Sequence, residues 1–204
     1  MLKKSGINSH KNLQINEGLL FCDINLTEFG ENEQVKSELL GYLNSDSDCT
    51  EKFMGRTKNG VIFSAVPKTR MYNEDGGLYK LRGSEIICGW DVTLETTLIE
   101  FSPNILSRVT PEAYVDDQSD YIKRINTNSN IFNNEYKNLV WFGDLSGGEL
   151  IVIELKNAVN LGGIRIDTSS ENESSIKIRF NAQAGDYFNR NEPPYNIYFI
   201  NNNK

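Results

Sequence analysis

The sequence predicts a mainly β fold, a single sandwich- or barrel-like domain with one or two flanking α-helices and a long projecting β-hairpin. Three observations carry that prediction. Residues 84–101, SEIICGWDVTLETTLIEF, alternate apolar and polar side chains along most of their length, the period of a strand with one buried face. The C-terminal third holds four further short runs rich in Ile, Val, Phe and Tyr, separated by Gly and Pro, which is strand and turn chemistry. Only two segments carry helical spacing or helix-start residues. No linker of domain scale and no internal repeat divides residues 1–204, so the chain is read as one domain.

Taken in order, residues 1–18 (MLKKSGINSHKNLQINEG) form an N-terminal arm, and residues 19–24 (LLFCDI) a first strand. Residues 31–43 place Val35, Leu39, Leu40 and Leu43 at helical spacing, with Glu31 and Glu33 at the end where the helix dipole favours acids. Residues 44–60 are polar and rich in Asn, Ser, Asp and Gly and read as a loop. Residues 61–66 (VIFSAV) read as a strand stopped by Pro67. Residues 68–84 are the candidate projecting hairpin, with its tip at Asn73-Glu74-Asp75-Gly76-Gly77, residues that tolerate positive φ. In residues 84–101, Ile86, Cys88, Trp90, Val92, Leu94 and Leu98 share one parity, and Gly89, Asp91, Thr93, Glu95 and Thr97 the other. So long an alternation exceeds the usual strand of about 5–6 residues, so it must run past one subunit's core or bend across two sheets. Ser102-Pro103 opens a short helix, with Ser as N-cap and Pro at the first helical position. Residues 110–140 read as an irregular insertion, and strands follow at 149–156, 163–168, 175–182 and 195–200.

Composition narrows the function. The chain has 28 acidic and 21 basic residues, a formal net charge of −7, and so lacks the excess of cations that neutralises phosphate in tight nucleic-acid binding. One histidine, His10, excludes every mechanism that needs two, most His-ligated zinc sites among them. His10 itself lies in a polar stretch and reads as a surface residue. No apolar run follows the basic N-terminus, so Sec export is not expected. The longest aliphatic run, Leu150 to Ile153, is far short of the roughly 20 residues that span a bilayer. Membrane insertion is therefore not expected either, and the chain reads as made and folded in the cytoplasm. Cys22, Cys49 and Cys88 are widely spaced and form no CxxC pair; Cys22 and Cys88 lie in apolar runs and are expected to be buried, reduced thiols.

The motifs with the residue types of a chemical site are each incomplete. Asn44 to Asp48 resembles the start of a calcium loop, but Cys49 stands where that loop needs Gly and Gly55 where it needs a bidentate Glu. Gly55-Arg56-Thr57-Lys58-Asn59-Gly60 lacks the GK[ST] of a phosphate loop and reads as a turn. Asp116-Asp117 has the composition of a glycosidase carboxylate pair, yet adjacent acids in a polar stretch are ordinarily just solvated. Trp90 and Trp141 would make a sugar-stacking platform if both were exposed on one face; the parity of Trp90 points it to the core, and Trp141 stays open. No enzyme activity, cofactor or metal is expected. A binding module and a structural subunit remain.

The order of segments carries more than any one of them. Ile15 to Phe21 reads I-N-x-G-x-x-F. Val66 to Arg70 reads V-P-x-x-R, followed by Arg82-Gly83, with Arg where Lys is common. Leu98 to Leu106 closes the long strand as L-x-E-F-S-x-x-x-L. Lys156 to Gly163 reads K-N-A-x-N-x-G-G, and Phe180 to Tyr187 is followed by Pro194 to Tyr198. In this order the chain resembles the major tail protein (tail tube protein) of long-tailed bacteriophages of Gram-positive hosts. About three quarters of the chain takes part; residues 110–140 carry little of the likeness.

The resemblance implies a β-sandwich or barrel whose copies form hexameric rings. The rings stack into a tube around a tape-measure protein, bounded by tail terminator and baseplate or distal tail proteins. The tube lets DNA pass transiently, without tight binding. The protein would reside in the virion tail tube, assembled in the host bacterial cytoplasm. The implied ring-to-ring contact falls on Tyr72, Asn73, Glu74, Asp75 and Tyr79, and Asp91, Glu95 and Glu100 are candidate lumen-facing acids. The alternative is a carbohydrate-binding β-sandwich module of a phage tail or bacterial surface protein, which Trp90 and Trp141 on one exposed face would favour.

Overall fold

Strands buried on one face and strands buried on both combine into one eight-stranded antiparallel sheet. The computed structural model describes residues 18–24, 32–44, 52–71, 82–100, 102–111, 113–119, 122–127, 131, 136–145, 149–168, 174–184 and 192–201. The elements are β1 (Gly18–Cys22), α1 (Asn32–Asn44), β2 (Phe53–Met71), β3 (Glu85–Leu98), α2 (Pro103–Val109), β4 (Ala113–Ser119), β5 (Ile122–Thr127), β6 (Lys137–Asp144), β7 (Glu149–Val159), β8 (Arg165–Asp167), β9 (Ser175–Ala182) and β10 (Tyr195–Asn201). The predicted mainly β fold with two helices is what the chain adopts.

The strand order is β10-β7-β6-β1-β2-β3-β9-β8, and β7 pairs a second time, with β9. Six strands thus close on themselves as a barrel, with β10 and β8 as added edges. A bulge makes the closure. Lys137 pairs with Ala158 but Leu139 with Leu155, so β7 carries an extra residue there. Asn157, at φ 47°, sits in it, and its N–H donates to Asn138 Oδ1 at 3.0 Å. A bulge bends its strand, and beyond this one Ala158 and Val159 meet Ala182 and Asn181 of β9.

Two cores lie on the two sides of the β1-β6-β7 wall. Inside the barrel are Leu20, Met54, Leu94, Leu98, Trp141, Leu155, Ile176 and Phe180, joined by Ile105 and Val109 of α2. Outside it, Phe21, Ile24, Val140, Phe142, Val152 and Ile200 pack with Leu39 of α1. β1, β6 and β7 are therefore apolar on both faces, which is why LLF and LVWF show no alternation. α2 begins as its sequence dictates: Ser102 Oγ accepts the Ile105 N–H at 3.1 Å and Pro103 occupies the first turn.

One polar node holds the barrel's interior. The Thr57 hydroxyl, fully buried, accepts from Gly18 N–H and from Trp141 Nε1 and donates to Gly18 C=O, each at 3.1 Å. Its one proton and two lone pairs are all used. The indole lies against the backbones of Gly18 and Gly143; a Cβ on either would come within 2.5 Å of the ring.

Several expectations need correction. Residues 53–60, read as loop, are the first half of β2, where Met54 and Thr57 are both buried and a register shift lies between the Leu20 and Phe21 pairings of β1. The segment Gly55 to Gly60, read as a turn, is strand with a bulge, where the register slips between Lys58 and Val61 and Asn59 and Gly60 take positive φ. Pro67 does not stop the strand. β1 ends its described pairing at Thr57, so among the described residues one side of β2 carries no ladder around Pro67, and proline is tolerated on such an edge. The 110–140 insertion is not irregular throughout: β4 and β5 form a two-stranded hairpin beside α2, and β6 begins at Lys137.

Candidate assembly surface

β2 and β3 pair from Thr57↔Leu98 to Met71↔Glu85, but their other neighbours stop early. β1 reaches only Thr57, and β9 covers β3 only over Val92–Leu98. Among the described residues, then, 62–71 and 85–91 form a two-stranded ribbon running off the barrel, open on both edges. Past Val92 that is about 20 Å at roughly 3.4 Å per residue. The candidate projecting hairpin, residues 68–84, begins on this ribbon, and its residues 72–81 lie outside the described residues. At its root Tyr195 packs against Phe63 and Trp90, with ring centroids 5.2 and 5.9 Å apart. Trp90 Nε1 is buried there without an acceptor among the described residues. Farther out a register shift falls between Lys68 and Thr69, opposite Cys88, which pairs with neither. Its Sγ donates to Lys68 C=O at 3.1 Å. Cys88 is exposed, not buried as its parity predicts, because the ribbon has no core beneath it. Cys22 is buried as expected, and desolvation raises its thiol pKa.

Of the candidate ring-contact residues, Tyr72, Asn73, Glu74, Asp75 and Tyr79 lie outside the described residues. The ribbon that leads to them exposes Ile62 (68%), Val66 (54%) and Ile87 (38%). Two of the three candidate acids share the outward face of β3. Asp91 is exposed, opposite Val66. Glu95 pairs with Arg179 of β9 at 3.4 Å. Glu100 lies past the strand's end, 3.8 Å from Arg56. On β8 and β9, Asp167 meets Arg165 and Lys177, both at 3.0 Å, and those hydrogen bonds lower its carboxyl pKa. The outward face of β3-β9-β8 thus sets Asp91, Glu95 and Asp167 against Arg165, Lys177 and Arg179, a balanced rather than an acidic surface.

The other candidates do not converge. Trp141 is 2% exposed, inside the barrel, so it forms no platform with Trp90. Asp116 lies in β4 opposite Arg124, and the side chain of Asp117 is outside the described residues, as are His10, Cys49 and residues 45–48. Among the described residues no cluster of three or more His, Cys, Asp or Glu is placed to hold a metal, and no helix is long and apolar enough to cross a membrane.

Sequence reasoning missed β6, a central strand, since its apolar run fits no single period. The K-N-A-x-N-x-G-G segment proves structural: Asn157 makes the bulge, and Asn160 joins three backbones. Asn160 Nδ2 donates to Val109 C=O at 2.8 Å and Gly163 C=O at 3.0 Å, while its Oδ1 accepts Gly162 N–H at 3.0 Å. Gly163, at φ 73°, completes that turn. No protein-family model matches the chain, and no curated protein matches it.

Proposed function

We propose that this chain is a structural subunit of the phage tail tube type, joining head to tail into six-membered rings that stack around a lumen through which DNA passes. The observation that carries the reading is the ribbon's position in the sheet. Among the described residues the row β2-β3-β9-β8 ends on two edges that meet no further strand, at opposite sides: residues 62–71 of β2 and β8. An edge of that kind is a template for another chain. Placing β2 of one copy beside β8 of the next continues the sheet by strand addition, and because the two edges differ the contact is heterologous and propagates around a ring.

The pleat supports this. Ile166 lies opposite fully buried Ile176 yet is 46% exposed, with no strand beyond it among the described residues. Phe63 and Ala65, on the apolar side of β2, would extend that apolar face in the neighbouring copy. Closure at six comes from the family resemblance. In such a ring the outward face of β3 and β9 lines the bore. Balanced acids and bases there give a polyanion no net charge to hold, which suits passage without retention. On this reading a tape-measure protein fills the bore during assembly, tail terminator and baseplate or distal tail proteins cap it, and the subunit performs no reaction.

Negative-stain microscopy of the purified protein over a concentration series tests the reading. Tubes or six-fold rings are the expected result. Monodisperse single copies at every concentration would overturn it, and glycan binding by those single copies would favour the carbohydrate-binding module.

A further inference from the structure

The balanced face of β3, β9 and β8 leaves one acid and one base unmatched. Glu95 pairs with Arg179 and Asp167 with Lys177, each contact crossing between strands of one copy. Asp91 is exposed and, among the described residues, makes no ion pair or side-chain hydrogen bond, not even with Lys68, which lies on the same face opposite Gly89. Arg165 meets Asp167 through Nε alone, at 3.0 Å, and the terminal N–H groups of its guanidinium fork are unengaged among the described residues. The two cannot meet within one copy. Arg165 lies opposite Lys177, and Lys177 opposite Thr97, about 20 Å along β3 from Asp91. Across the ring contact they can. Every pairing in the row is antiparallel, so β2 and β8 run in opposite directions, and rotation about a ring axis preserves them. β8 of one copy therefore meets β2 of the next antiparallel. The pleat keeps Ile166 on the apolar side, opposite Phe63, Ala65 or Pro67. Opposite Pro67, it would set Asp167 beside Val66 and hence against Asp91, and Arg165 against Lys68. Opposite Phe63, it would set Arg165 beside Ser64, in line with Thr93. Opposite Ala65, Arg165 stands beside Val66, and one strand farther on is Asp91. That last ladder ends before Pro67, which has no N–H to donate, and its span matches the three residues of β8.

We infer that Arg165 of one copy forms an ion pair with Asp91 of the next, and that this pair fixes the register in which β8 adds to β2. Their Cα atoms then stand two strand spacings apart, about 10 Å, and the side chains close the gap over Val66. Val66 is 54% exposed and gives the arginine stem an apolar floor. The contact rests on the ring reading and deepens it. The ladder and the apolar face supply the attraction, and the ion pair excludes the wrong registers.

The test mixes two full-length variants, Asp91→Arg and Arg165→Asp. Alone, the first sets two bases and the second two acids against each other at every junction. Mixed in equal amounts and alternating around a six-membered ring, they set an acid against a base at every junction. The lowest concentration that gives rings is read by light scattering and negative-stain microscopy, with circular dichroism as the folding control. Each variant alone is expected to need about ten times the wild-type concentration, and the mixture to return to the wild-type value. Above the raised concentration the variant rings still close, since the ladder and the Ile166 contact are unchanged. Damage within one copy is not rescued by mixing. The neutral pair Asp91→Asn and Arg165→Gln decides the matter even if a charge reversal fails to fold: combined, they should raise the concentration no more than either alone. Wild-type-like assembly by both reversed variants, a mixture no better than its components, or additive neutral effects overturns the inference while the ring reading stands. Wild-type protein that forms no ring overturns both.

Discussion

Replacing Thr57 by valine removes one hydroxyl while keeping shape and volume, and it strikes the node on which β1, β2 and β6 converge. Three groups lose a partner at once: Gly18 N–H, Gly18 C=O and Trp141 Nε1, each now 3.1 Å from Thr57 Oγ1. The indole sits at 2% exposure and Thr57 at 0%, so water does not replace the hydroxyl at the indole without opening the barrel. A buried polar group left unsatisfied costs about 1–3 kcal/mol. Counting the indole N–H in full and the Gly18 groups in part gives about 3–5 kcal/mol, a large share of the roughly 5–15 kcal/mol by which a domain is stable. Thr57→Ser keeps the oxygen and loses one methyl, at a cost of about 1 kcal/mol. Urea unfolding, at a concentration where the subunit is monodisperse and with the slope m checked for constancy, measures both variants. If Thr57→Val lies within about 1 kcal/mol of Thr57→Ser, the hydroxyl is not the tie described here.

Asn160→Ala removes the links among α2, β7 and the turn before β8 and is expected to destabilise the fold by about 2–4 kcal/mol, with amide exchange rising first around Val109 to Gly163. Asp167 has a lowered carboxyl pKa, so its contribution is complete above the unfolded value of about 3.8 and is lost as pH falls through the lower folded value. A carboxyl-detected NMR titration should place Asp167 below the ordinary aspartate value of 3.8, and Arg165→Ala with Lys177→Ala should raise it. In a Cys49→Ser background, an aromatic disulfide reagent should label Cys88 within seconds to minutes and Cys22 only on unfolding, because Cys88 is exposed and Cys22 is buried with a raised pKa; equal rates would contradict that placement. Asp91→Lys with Glu95→Lys turns a balanced face strongly basic, and tubes of that variant should retain labelled DNA at low salt and release it at high salt; unchanged passage would remove these residues from the bore.

Much of this architecture is legible in the sequence because local chemistry and global fold agree. Ser102-Pro103 caps a helix by itself, and the alternation of residues 84–101 fixes which side chains of β3 face inward, down to Val92, Leu94 and Leu98. Where one periodicity describes a segment, one face is buried and the pattern suffices. The tertiary structure decided the rest, because each remaining feature depends on what lies beside a strand rather than on the strand. β6 shows no alternation, since a core packs on each of its faces. Pro67 continues β2 only because β1 stops ten residues earlier. Trp141, undecided from sequence, is interior because Gly18 and Gly143 leave room for its ring and Thr57 meets its nitrogen. Cys88 has core parity but no core, its strand having run past the barrel. Glu95 and Asp167 are acids by sequence, yet neighbouring β9 brings Arg179 and Lys177 to them, and Arg165 of Asp167's own strand helps cancel the charge. Sequence by itself determined the capped helix at Ser102-Pro103, the alternating strand of residues 84–101 and the inward side of β3. Only the packing of distant segments decided which edges stay open, and open edges are where a second copy can join.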